Sequence, residues 1–445
     1  MNVFEMSAGQ AAAAIREGEI SSQELVQSCL DRTQALEETV GAWHYLDPEY
    51  ALQQARDADL YRRSAKALGP LHGVPVGIKD IFDTSDMPTE DGTPLHAGRT
   101  PGGDATAVAL LRAAGAIIMG KTVTTELAVF SPGKTRNPHD PECTPGGSSS
   151  GSAAAVAAQM VPLAMGTQTN GSIIRPASYC GVVGYKPSHG LVSRYRALQL
   201  SRVLDHVGVF GRSVADVALM AEQLMAFDDR DPDMRPRARP RLVDTTAQEP
   251  PVTPRLAFVK TPSWDKAGEE VQGAFGELTA FLGSRVEEID LSELLESAVG
   301  WHQTIMEADL ARSFRREYAG ARERLSPVLR QMIERGQQCR AVDYNHAVAQ
   351  LPALNKAFDE IMLEYDAILT PATTGAAPKG LESTGDPVFC TPWSLLGVPS
   401  VSAPVLQGAR GLPMGAQLVA SKGDDARLLR TTNWLVQHIV QATAD

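Results

Sequence analysis

Residues 146–175 read GGSSSGSAAAVAAQMVPLAMGTQTNGSIIR. A glycine and serine run passes without a break into an alanine-rich, helix-forming segment. An apolar run from Val161 to Met165 follows, then a second small-residue turn carrying Ser172. Two such turns flanking a tightly packing helix bring backbone N–H groups and hydroxyls together, because small side chains permit close backbone approach. Four readings compete for the stretch. A flexible linker is opposed by the apolar and helix-forming flanks. A phosphate-binding loop needs a terminal Gly-Lys-Ser/Thr, which is absent. A nucleophile elbow, G-x-S-x-G, fits Gly147–Gly151 with Ser149 at its centre. It requires a strand directly before it, and NPHDPECTP (137–145) is broken by proline. Its acid and histidine would have to come from Asp205, His206 or His346.

The fourth reading joins Ser148 and Ser172 to Lys79, which follows the apolar run Val74–Ile78. A lysine at a strand end either snorkels to solvent or is buried with a lowered pKa and acts as a base. A serine hydroxyl is a weak nucleophile and needs such a base. A second serine can bridge the two and pass the proton. The turn TNGS (169–172) offers consecutive backbone N–H groups, which suit an oxyanion hole.

Composition sets the frame. The 445 residues are 43% hydrophobic and 21% charged, with a formal net charge of -12. That suits a globular protein with a large core, and the acidic balance argues against nucleic-acid binding through counterion release. The five cysteines are scattered and odd in number, as expected of reduced thiols in the cytoplasm. Neither a signal peptide nor an apolar run of membrane-spanning length is visible. The nine histidines form no metal-ligand cluster, so no metal or cofactor is expected.

Along the chain, residues 1–67 read as peripheral helices, starting at Ser7, at Ser21 with its capping pattern, and at Asp47-Pro48 up to about residue 67. A strand over Val74–Ile78 precedes Lys79. Residues 104–118 read as a helix, with Asp104 as N-cap and Gly115 as C-cap, running into a strand at Ile117–Gly120. Further strand signals lie in CGVVGYK (180–186), 203–209, 255–259, 367–371, 399–404 and 414–420, with helices from Ser213, over 267–282 and at the C-terminus. This alternation marks an α/β fold. The Pro, Asp and Arg-rich segment 228–254 reads as a long surface crossing, and 291–365 as a helical layer over the core.

The motifs GVPVGIKD (73–80), GAIIMGKT (115–122), TPGGSSSGSAAAVAA (144–158), GTQTNGSIIRPASYCG (166–181) and YKPSHGLVS (185–193) resemble those of the amidase signature family. TPWSLLGVPSVSAP (391–404) and GLPMGAQLVA near the C-terminus look like further family features. The resemblance covers most of the chain, from about Ser7 to the last helix. It implies a single domain over residues 1–445, an α/β/α sandwich around a large mixed, mostly parallel sheet. It also implies a Ser-Ser-Lys triad: Ser172 as nucleophile, Ser148 as the bridging serine after a cis peptide, and Lys79 as base. The oxyanion hole then maps to the N–H groups of Thr169, Asn170, Gly171 and Ser172. By the same analogy, the loop 127–136 with Phe130 and the helical layer near Trp301–Met306 shape the substrate pocket.

Three positions depart from the family's GTDTGGSIR. Gln168 replaces Asp, Asn170 replaces Gly, and the arginine falls one position later, at Arg175. The pattern is similar to malonamidase-like members, in which that arginine binds a substrate carboxylate. Arg175 therefore either selects an acidic amide or pairs with a structural acid. Gln168 leaves the lysine's surroundings less negative, which favours a neutral base. The expected function is hydrolysis of C–N bonds in small amides through an acyl-enzyme, by a monomer or homodimer without membrane or nucleic-acid partners. Carbamate or ester hydrolysis on the same triad, the glutaminase component of a tRNA-dependent amidotransferase, and a non-catalytic binding protein are the alternatives.

Overall fold

The apolar runs become strands of one mixed sheet. The computed structural model describes residues 2–64, 66–408 and 410–444. In chain order the strands are β1 (Trp43–Leu46), β2 (Pro75–Lys79), β3 (Ile117–Thr122), β4 (Leu163–Gln168), β5 (Val183–Lys186), β6 (His206–Gly211), β7 (Leu256–Val259), β8 (Val286–Ile289), β9 (Ala367–Pro371), β10 (Ser400–Gln407) and β11 (Pro413–Val419). Their order across the sheet is β1-β3-β2-β4-β6-β5-β10-β11-β9-β7-β8. The two strands not read from the sequence, β1 and β8, are its two edges. Each has four residues, and β8 (VEEI) is half-exposed, so neither carries a long apolar run.

The sheet is mixed, as expected, but antiparallel pairs outnumber parallel ones. Parallel pairing is confined to β3-β2-β4 and β8-β7-β9. Helices such as Thr106–Ala113 after β2 and Glu269–Leu282 after β7 provide the crossovers that parallel neighbours require. The strands between these blocks pair antiparallel, as does edge strand β1 with β3.

Side chains alternate between two core layers, as the two-residue period of a strand dictates. In β4, Leu163 and Met165 join one layer and Ala164 the other. The first layer packs beneath the helices Thr106–Ala113 and Val214–Leu224 and the C-terminal helix. The second packs beneath Ser22–Val40 and Ser150–Ala157.

Ser7, Ser21 and Asp47 cap their helices as expected. The third helix ends at Arg63 rather than near 67, and residue 65 of that expected span lies outside the described residues. Asp104 does not cap the next helix. Ala105 holds that position, while the Asp104 carboxylate accepts from Ser85 N and Arg112 Nε. The strand expected at 203–209 begins only at His206. Residues 174–180 form a short helix that the sequence reading missed. The segment 228–254 crosses the surface with one short helix, Leu242–Thr246. It is pinned by Arg194, which pairs with Asp231 (2.7 Å) and Asp233 (2.5 Å). Five helices between Ser292 and Ile361 make up the additional helical layer. Among the described residues no helix is long and apolar enough to cross a membrane.

Candidate active site

β2 and β4 are parallel neighbours, with Ile78 opposite Met165. Lys79, which ends β2, and Thr167 and Gln168, which end β4, therefore leave the sheet together at its carboxyl edge. Open α/β sheets bind ligands at such edges. Lys79 is fully buried, so the solvent-snorkelling reading does not hold. Its Nζ donates to Ser148 Oγ and to Thr167 Oγ1, both at 2.8 Å. Among the described residues no carboxylate forms an ion pair with it. Burial holds its pKa well below the ordinary lysine value, and the charge of Asp205 acts in the opposite direction. Two other buried lysines behave differently. Lys121 pairs with Asp80 at 3.1 Å. Lys186 donates to the Val398 carbonyl, and burial lowers its pKa to about 7.

Ser148 arrives on a turn that requires glycine. Gly146 has φ +79°, and a Cβ there would lie 2.8 Å from Pro176 Cα. The Gly147–Ser148 peptide is cis. The next serines are tied to backbone. Ser149 Oγ donates to Thr167 O (3.2 Å) and accepts from Thr167 N (3.3 Å), Ser150 Oγ donates to Val123 O, and Ser152 Oγ donates to Met165 O. These bonds count against the elbow alternative: the Ser149 hydroxyl serves the β4 backbone, and Ser148 is the serine of the run that meets Lys79. Of the residues the elbow would have used, Asp205 bonds Thr169, His206 bonds the Leu204 carbonyl, and His346 packs edge-on to Trp301.

Gln168 explains one departure in the second turn. Its Oε1 accepts from Ile173 N (2.8 Å) and Ile174 N (3.0 Å), as a carboxylate oxygen would, and its Nε2 donates to Ser394 Oγ (3.0 Å), which a carboxylate could not do. Asn170 is held from both ends: its Oδ1 accepts from Thr391 Oγ1 and its carbonyl from Ser394 Oγ. The Thr169 carbonyl accepts from His302 Nε2 (3.0 Å). Burial lowers the His302 pKa to about 4, so the ring is neutral with its proton on Nε2. The N–H groups of Asn170, Gly171 and Ser172 find no acceptor among the described residues. The Ser172 hydroxyl likewise makes no hydrogen bond there. The structure thus brings Lys79 and Ser148 into contact and leaves Ser172 unbonded on the adjacent turn, 8% exposed.

Arg175 is 1% exposed. It donates to the Gly147 carbonyl (2.7 Å), Thr384 Oγ1 (3.0 Å) and the Gly385 carbonyl (3.0 Å). Among the described residues it thus pairs with no structural acid, and it ties the Ser172 turn to the peptide that precedes Ser148. Phe130 stands 6.0 Å from its guanidinium and also lines a cavity of about 300 Å³. Asn170, Val299, His302, Met306, Met332 and Val388 contribute further walls, and Arg175 does not. Trp301, expected at the pocket, packs instead against His346.

A family model described as Amidase matches residues 24–429. The chain belongs to the amidase family. Members act on C–N bonds, and the Ser-Ser-Lys triad is typical of them. The chain is 34% identical to a glutamyl-tRNA(Gln) amidotransferase subunit of Chloroflexus aurantiacus over 94% of each sequence. Its fold superposes on the peptide amidase from Stenotrophomonas maltophilia with a TM-score of 0.84 and 27% identity, over 98% of this chain and 97% of that one. A chain from a vestigial complex, described as revealing the origins of an s-triazine catabolic enzyme, superposes with a TM-score of 0.91 and 26% identity, over 98% of each. In this amidase-family chain the supports that sequence reasoning missed are Thr167, His302, Thr391 and Ser394. Thr167, Thr391 and Ser394 lie inside the quoted motifs, but nothing in those motifs says what each side chain bonds, and His302, Thr391 and Ser394 are brought to the turn from more than a hundred residues downstream.

Proposed function

We propose that this chain hydrolyses uncharged amides carrying an apolar group, through an acyl-enzyme on Ser172. The observation that carries the reading is the 2.8 Å bond between Ser148 and a fully buried Lys79 without an ion-pair partner among the described residues. Burial favours the neutral form of Lys79, whose lone pair can accept a proton. Ser172 Oγ attacks the amide carbon while its proton passes to Ser148, whose own proton passes to Lys79. The N–H groups of the 169–172 turn hold the oxyanion. Collapse breaks the C–N bond, and the proton returns through Ser148 to the departing amine. Water then attacks the ester with Lys79 again as proton acceptor, releasing the acid and restoring Ser172. The same steps serve carbamates and esters. One continuous sheet running from edge β1 to edge β8 supports reading the chain as a single domain.

The cavity supports the substrate class. Its walls are mainly Phe130, Val299, Met306, Val328, Met332 and Val388, and methionine adapts to varied apolar shapes. Its charges are matched: Arg335 pairs with Glu307 (2.6 Å) and Lys266 with Asp386 (3.3 Å). We assign Arg175 to holding the Gly147 carbonyl rather than a substrate carboxylate. A fluorophosphonate probe labels the wild type and not Ser172→Ala; absence of labelling in both overturns the mechanism. Faster turnover of malonamate than of an aryl-alkyl amide overturns the substrate class alone.

The 34% identity to a glutamyl-tRNA(Gln) amidotransferase component favours a second reading, a glutaminase working within a complex. Copurification of a stoichiometric partner, together with glutamine hydrolysis, would establish it over the first.

A further inference from the structure

Asp205 immediately precedes β6, whose first residue, His206, pairs with Gln168 at the end of β4. It is 7% exposed. One carboxylate oxygen accepts from the Thr169 hydroxyl (2.7 Å); the other accepts from Leu200 N (2.8 Å) and Ser201 N (3.0 Å). With Thr167 and Thr169 it lines a second cavity, of about 320 Å³. Thr167 is the residue that shares Lys79 with Ser148. The carboxylate therefore shares a cavity wall with the threonine that accepts from Lys79 and is bonded directly to the turn that carries Ser172.

We infer that Asp205 is a positioning residue for hydrolysis: it holds the Ser172 turn through Thr169 and supplies the negative charge that acts on Lys79 across that turn. The inference rests on the reading of Lys79 as the base. Burial alone would leave Lys79 neutral but weakly basic, and proton transfer is most effective when the base is matched to the working pH. A carboxylate nearby restores basicity without occupying the lysine's lone pair, because its oxygens bond the Thr169 hydroxyl and the Leu200 and Ser201 N–H groups rather than Lys79.

The groups facing Asp205 are Lys79, His206, Tyr195, Arg194 with its partners Asp231 and Asp233, and Arg202, Arg230 and Arg312 around the cavity. Asp309 stands behind Ser201, whose hydroxyl donates to it. Burial raises the Asp205 pKa to about 6, so its charge, and with it the support of Lys79, fades as pH falls through that value.

Asp205→Asn tests the idea. Asparagine keeps an oxygen for the two backbone N–H groups and offers its amide to the Thr169 hydroxyl, but carries no charge. The expected result is an acid limb of the pH–kcat/KM profile displaced to lower pH, because Lys79 loses the influence that raises its pKa. An about ten-fold loss at the plateau is expected with it, with fluorophosphonate labelling of Ser172 retained. An unmoved limb with a uniform loss of rate, or a limb moved to higher pH, overturns the inference while labelling keeps the acyl-enzyme reading intact. Should Asp205→Asn not fold, Thr169→Val and Thr169→Ser decide. Valine cuts the link and must lower kcat at unchanged KM, serine must restore it, and equal rates for the two overturn the inference.

Discussion

At the scale of single residues, the site turns on what each buried polar group is bonded to. Ser148 and Ser149 are neighbours with opposite duties. Ser149→Ala strips the Thr167 N–H of its acceptor, and an unpaired buried donor costs about 1–3 kcal/mol. The unfolding temperature should therefore fall for Ser149→Ala with turnover largely kept, whereas Ser148→Ala should lose turnover at little cost in stability. Lys79 makes the complementary case. Its folded pKa is depressed by burial, so the unfolded chain binds the extra proton. Stability is reduced below the ordinary lysine pKa and recovers as pH rises from the folded value towards it. Lys79→Met removes that burden. It should raise Tm at pH 7 and lower kcat by about 10²–10⁴-fold, the usual worth of a general base. In the wild type, activity should decline as pH falls through the depressed lysine value.

At the scale of elements, the alanine-rich helix Ser150–Ala157 explains why small residues fill the central stretch. A Cβ on Gly151 would lie 2.3 Å from the Ala42 carbonyl oxygen and 2.4 Å from Val123 N. The helix therefore packs directly onto the backbone at the ends of β1 and β3, and so carries Ser148 to the edge of the sheet where Lys79 emerges. Gly151→Val should cost about 1–3 kcal/mol or more through overpacking. It should also lower turnover by displacing Ser148, read by denaturant unfolding beside a rate measurement. The helix Ala298–Ser313 acts from the other side, with His302 on the Thr169 carbonyl and Met306 on the substrate cavity. The cavity wall and the turn proposed as the oxyanion hole are thus linked through one element.

At the scale of the whole molecule, the long crossing 228–254 is fastened back to the core by ion pairs rather than by apolar contacts alone. The Arg194 and Asp231 side chains are 12% and 2% exposed. Arg194→Ala would leave a buried carboxylate uncompensated, at about 3–5 kcal/mol. Limited proteolysis should then cut within 228–254, while the wild type resists.

The sequence by itself was enough for the α/β class, for most of the interior strands and for singling out the three residues proposed as the triad. Apolar runs report burial directly, and the motifs that carry those three residues are local. It was not enough for the edges of the sheet, because β1 and β8 are short and half of β8 faces solvent. Nor did it show that antiparallel pairs predominate, since pairing direction depends on where the chain returns rather than on side-chain pattern. The contacts of Gln168, Arg175 and Asp205 were decided only by the tertiary structure. Each is a polar group whose role depends on its bonding partners: Ser394 for Gln168, Gly147 and Gly385 for Arg175, and Thr169 for Asp205. Those partners are distant in sequence and meet only once the sheet has formed.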